Sequence, residues 1–130
     1  MISGAKLLLT LILPLGVVAF YTGCDECICE TYSAEYAVTI VDDAGDPVVG
    51  LEHSVRIVRT GQTLPALFWE ERYSLISDQE RHLINPYGER LRFTATDGQT
   101  MVTADYVVDV PGRCHCHVNN VSGPDTLVSD

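Results

Sequence analysis

Arg90-Leu-Arg-Phe-Thr-Ala-Thr96 alternates polar with apolar side chains and stops at Asp97-Gly98, after which residues 101–110 form a second apolar-rich run closed by Pro111-Gly112. A period of two places the apolar side chains on one face of an extended chain. Asp-Gly favours the tight turn that joins two such strands. This stretch therefore reads as two half-buried antiparallel strands, and the rest of the body follows the same rhythm.

Toward the N-terminus, Glu35-Tyr-Ala-Val-Thr-Ile-Val-Asp42 is rich in β-branched and aromatic residues and ends at the turn Asp43-Ala-Gly-Asp-Pro47. Residues 48–59 alternate around Val55 and Ile57, and Thr60-Gly-Gln-Thr-Leu-Pro65 breaks the chain. Residues 66–77 fit two strands with a Glu70-Glu71 turn as well as a short helix, and the strand reading is adopted. Residues 81–84 end at the turn Asn85-Pro-Tyr-Gly88. Toward the C-terminus, strands over 114–118 and 126–128 are separated by Ser122-Gly-Pro-Asp125. About seven strands at this spacing predict an all-β domain, a Greek-key β-sandwich over residues 35–130.

The first residues are of another kind. Met-Ile-Ser-Gly-Ala-Lys6 precedes an uncharged apolar run from Leu7 to Tyr21. The run is shorter than the roughly 20 residues that span a bilayer, and Pro14 and Gly16 interrupt it. Residues 1–23 thus read as an export signal in helical form. Tyr21-Thr22-Gly23-Cys24 resembles a bacterial lipobox, which implies cleavage before Cys24 and acylation of that cysteine. Residues 24–34 are then a short anchor segment, and the expected location is the bacterial cell envelope, lipid-anchored, on the periplasmic or outer surface.

The chain carries 8 Lys plus Arg against 18 Asp plus Glu. The sole lysine, Lys6, lies in the signal, so the mature chain keeps seven basic against eighteen acidic side chains, a net charge of −11. Phosphate backbones are repelled by such a balance, and nucleic acid is excluded as a partner. The partners expected are the membrane, through the N-terminal lipid, and another envelope protein or a polysaccharide.

Five cysteines would leave one stray thiol in an oxidising compartment. With Cys24 given to lipid, Cys27, Cys29, Cys114 and Cys116 remain as two Cys-x-Cys pairs whose sulfurs lie side by side if the chain is extended. Cross-pairing closes nearly the whole domain and is favoured over small strained rings within each pair. Cys27 with Cys114 and Cys29 with Cys116 is one arrangement, and Cys27 with Cys116 and Cys29 with Cys114 the other.

Val41-Asp-Asp-Ala-Gly-Asp-Pro-Val-Val-Gly-Leu51 resembles the opening hairpin of carboxypeptidase regulatory-like, or transthyretin-like, domains. Cys114-His-Cys-His-Val118 with Val121-Ser-Gly-Pro-Asp125 is similar to the ending of small bacterial envelope proteins that carry them. The resemblance implies an Ig-like or prealbumin-like Greek-key sandwich. Among transthyretin-like proteins the resemblance implies one enzyme class to consider, the hydroxyisourate hydrolases, whose closing Tyr-Arg-Gly-Ser is replaced here by Thr126-Leu-Val-Ser-Asp130.

No Gly-x-Ser-x-Gly elbow, His-Glu-x-x-His or phosphate loop occurs. No catalytic residue and no cofactor is therefore expected. The residues closest to a metal site are His115 and His117, alternating with the cysteines on a strand, with His53, His82 or Asp109 as a third ligand; the set reads more simply as strand residues beside a staple. On that simpler reading, replacing both histidines leaves stability nearly unchanged. A calcium site at Asp42, Asp43 and Asp46 competes with an ordinary turn. Phe68-Trp69 could be a recognition patch, but Trp69 is expected in the core. Asn120-Val-Ser122 matches a glycosylation acceptor that matters only in a eukaryotic host. The expected function is a non-catalytic, envelope-anchored module with a structural or binding role, and the alternative is a small periplasmic metal-binding protein using the Cys-His-Cys-His strand.

Overall fold

The computed structural model describes residues 27–129. The expected signal and the acylation site Cys24 lie outside the described residues. Within them the chain is mostly strand, in nine segments: β1 (Glu35–Val41), β2 (Glu52–Ile57), β3 (Thr63–Leu64), β4 (Phe68–Trp69), β5 (Arg72–Ser77), β6 (Glu89–Thr96), β7 (Met101–Asp109), β8 (Asn119–Ser122) and β9 (Thr126–Val128). A 3-10 helix over Asp78–Leu83 separates β5 from β6.

The strands form two sheets, one in the order β4-β5-β1-β9 and the other β3-β2-β6-β7-β8. All pairings are antiparallel except β1 with β9. The alternation that marked β6 is realised: Leu91, Phe93 and Ala95 are fully buried, and β7 adds Tyr106 and Val108 opposite. From the other sheet Val38, Ile40, Tyr73 and Leu75 complete the same core. One hydrophobic interior is thus shared by both sheets, as stacked amphipathic layers require.

The turns follow their chemistry. Glu70 and Glu71 both take left-handed backbone, with φ of 51° and 61°, as a two-residue hairpin loop demands. The Asp42 carboxylate accepts the N–H groups of Ala44 and Asp46, each at 2.9 Å, and Gly45 adopts φ 86°. Asp42 is thereby a turn former, and Asp43 and Asp46 are exposed. Tyr73 reaches from the core to the same hairpin and donates its hydroxyl to the Val48 carbonyl at 2.8 Å. At the other end of the domain, buried Glu89 takes Arg59 Nη2 at 2.7 Å and the Asn85 N–H at 3.0 Å, which fixes the turn before β6.

Several expectations change. Residues 81–83, expected as part of a strand, are the last turn of the 3-10 helix, with Ile84 its extended C-cap; Ser77 caps the other end, where its Oγ accepts from the Gln79 N–H and the Glu80 carboxylate accepts from the Ser77 N–H, both at 3.2 Å. Residues 114–118 are not a strand: a turn covers 112–115, and His115 has φ 49°, which breaks the alternation on which a shared face for His115 and His117 depended. Trp69 is half-buried on the short edge strand β4, and the large core side chains are Tyr73, Phe93 and Tyr106. Strands β3 and β8 join the set, each an edge of the five-stranded sheet.

Candidate functional site

The Cys-His-Cys-His segment and the start of the body meet in one place. Cys27 is bonded to Cys114 and Cys29 to Cys116, with Cα–Cα distances of 5.3 and 5.4 Å. Of the two cross-pairings the sequence left open, this is the one in which the partners run in the same order. The two bridges lay residues 27–34 along the segment that leads into β8.

Asp78 bolts that contact from below. It opens the 3-10 helix, its position fixed by the Ser77 cap, and it is 6% exposed. Its Oδ2 accepts the Ala34 N–H at 2.8 Å and the His117 Nδ1–H at 2.6 Å, and its Oδ1 accepts the Val118 N–H at 2.8 Å. One carboxylate therefore joins three chain segments: the entry to β1, the helix, and the approach to β8. Ala34 also closes the contact through its carbonyl, which accepts the Asp78 N–H at 2.9 Å.

Beside the bolt is an open cleft of about 460 Å³ lined by Glu30, Tyr32, Gln79, Arg81, His82 and His117, among others. Tyr32 stacks on the His117 ring at 4.1 Å. With Nδ1 committed to Asp78, the buried Nε2 of His117 has no hydrogen-bond partner among the described residues. An aspartate holding an imidazole in this way is the arrangement that orients a catalytic base or a metal ligand. Neither is completed here: no hydroxyl or thiol hydrogen-bonds Nε2 among the described residues, as an activated nucleophile would.

The other candidate ligands are dispersed. His115 points elsewhere, its Nδ1 donating to the Val110 carbonyl at 2.6 Å with its ring edge-on to Tyr87. His53 packs against Tyr73 and Phe93, and burial pushes its pKa down against the opposing effect of Ser74. Asp109 takes the Asn119 amide at 3.1 Å. His82 alone lines the cleft with His117. Among the described residues no group of three or more His, Cys, Asp and Glu side chains is placed to hold a metal ion.

The chain matches no family model, no curated protein and no solved structure.

Asp78 went unmarked in the sequence, although Ser77-Asp-Gln-Glu80 carries the capping-box signature that places it. Its chemistry gives a pH-dependent prediction. Burial pushes the Asp78 carboxyl up, but the hydrogen bonds from His117, Ala34 and Val118 outweigh burial and hold it below the usual carboxylate value. A group held below its unfolded value stabilises the fold above that value, and the contribution is lost as pH falls through the folded one. Asp78→Asn is expected to lower stability at pH 7 by about 2–3 kcal/mol and to flatten the loss of stability below about pH 4. Urea titrations of both proteins at pH 7 and pH 3 check this; parallel acid limbs would show that Asp78 carries no such bonds. His117 belongs to the same network, so its replacement is expected to destabilise the fold, unlike the neutral outcome its strand placement implied.

Proposed function

We propose that this chain is a non-catalytic module of the bacterial cell envelope, anchored by lipid at Cys24, whose β domain serves a structural or binding role toward a neighbour. The observation that carries the reading is the clasp. Cys27 and Cys29 follow Cys24 by three and five residues, and both are bonded to the body of the domain. Three residues reach at most about 10 Å, so a lipid on Cys24 would hold the domain close to the membrane surface. Any pull on that anchor would pass into two covalent bridges and the Asp78 bolt before it reached the sheets.

The domain itself is read as a Greek-key β-sandwich of the carboxypeptidase regulatory-like kind. Its path supports this, since the chain crosses between the two sheets after β1, β3, β5 and β8. Disulfide bridges at both Cys-x-Cys pairs favour an oxidising compartment, in keeping with export.

Cell fractionation of a Cys24→Ala variant tests the anchor. The wild-type chain is expected in the membrane fraction, and the variant in the soluble fraction or at the size of the unprocessed precursor. A variant that stays with membranes at the mature size would overturn the lipid anchor.

A further inference from the structure

The outer face of the five-stranded sheet gathers the chain's scarce positive charge. Seven arginines are present in the whole chain, and three of them, Arg56 on β2 with Arg90 and Arg92 on β6, project from this one face. Strand register places Arg56 directly opposite Arg92, Thr63 beside Arg56, and Asp105 beside Arg92. One row toward the start of β2, Ser54 lies opposite Thr94, and Thr94 opposite Thr103.

Like charges in directly opposed positions destabilise a sheet, and an anion placed between them relieves that repulsion. Arg92 has a counter-ion, its Nε donating to Asp105 Oδ1 at 3.0 Å. Arg56 has no hydrogen-bond or ion-pair partner among the described residues. Between them is a depression of about 240 Å³ lined by Ser54, Arg56, Thr63, Arg92 and Thr94, with no carboxylate in its wall. Every lining side chain offers hydrogen-bond donors, and three are hydroxyls that also accept.

We propose that this face binds an acidic saccharide, holding one carboxylate of a uronic-acid-type residue between Arg56 and Arg92 and its ring hydroxyls along Ser54, Thr63 and Thr94. The planar guanidinium fork matches a carboxylate in two-point contact. Three arginines against Asp105 leave the patch locally positive. A densely charged polyanion is disfavoured, because the chain as a whole carries −10. Glu52, opposite Thr96 at the far end of the same face, sets the direction: it repels a carboxylate and directs the acid toward the arginines. No aromatic ring stands on these strand positions to stack on a sugar, so affinity comes from polar contacts and falls with salt.

The site lies within the domain and owes nothing to the lipid, so the Cys24→Ala chain binds as the wild type does and the two proposals fail separately. The test is amide NMR titration of the full chain with glucuronate, and with glucose, acetate and inorganic phosphate as comparators. Saturable shifts on β2 and β6 are expected with glucuronate, with glucose and acetate each at least about tenfold weaker. Arg56→Gln and Arg56→Lys should each lose about tenfold or more, the second because a lysine keeps the charge without the fork. Thr94→Val should weaken glucuronate but leave acetate unchanged. No shift on this face, phosphate binding as tightly as glucuronate, or a Thr94→Val chain that binds glucuronate normally would each overturn the proposal.

Discussion

Gly123→Ala is expected to lower the melting temperature by on the order of 10–20 °C. Gly123 sits where β8 gives way to β9, with φ 125°, and a Cβ there would lie 2.2 Å from Cδ1 of Tyr106. The ring cannot yield, because Tyr106 is 1% exposed within the core and its hydroxyl donates to the Pro124 carbonyl at 2.7 Å. Overpacking costs about 1–3 kcal/mol and the unusual backbone a further 1–3, so the sum is a large share of a small domain's stability. Gly61→Ala is the control. Its φ is 76° but nothing lies within 4 Å of the added carbon, so it should show backbone strain alone. Equal losses in the two variants would show that the Tyr106 contact contributes nothing.

Removing both disulfides should cost far more than twice the loss from removing either one. Each bridge spans 87 residues, and closing a loop of that size in the unfolded chain is worth about 4–5 kcal/mol. Once one bridge is present, the second closes a ring of only a few residues and adds about 2 kcal/mol at most. Cys27→Ser with Cys114→Ser, or Cys29→Ser with Cys116→Ser, is therefore expected to shift the denaturation midpoint modestly. The quadruple variant should be largely unfolded at 37 °C, because the Asp78 bonds must then close the clasp alone. Denaturant melts of the three variants measure the difference. Additive losses would mean that the bridges act independently, through native-state contacts and not through one shared loop.

What the sequence disclosed was local. β1 could be read from its β-branched and aromatic content, and β6 and β7 because their alternation runs for eight and nine residues; each ends near a turn that holds Gly or Pro. The β4–β5 hairpin could be read despite its Glu70-Glu71 turn, since apolar residues flank it on both sides. β8 is a polar edge strand, Asn-Asn-Val-Ser, and nothing in its composition marks it. The turn at 112–115 was hidden for a different reason. Cys-x-Cys spacing imitates strand alternation, while His115 departs from extended backbone between two cysteines that are each bonded elsewhere. Partnerships across the chain were equally out of reach. Asp78 lies 39 residues from His117 and 44 from Ala34, and the pairing of Arg56 with Arg92 follows from strand register.

The covalent state of the N-terminal cysteines tests the account most directly. Peptide mass mapping, without reduction, of the protein taken from its own envelope would read Cys24 and the four remaining cysteines together. The expected result is a chain beginning at an acylated Cys24, with Cys27 bonded to Cys114 and Cys29 to Cys116. An unmodified Cys24 within a longer N-terminal peptide, or free thiols at the other four positions, would contradict it.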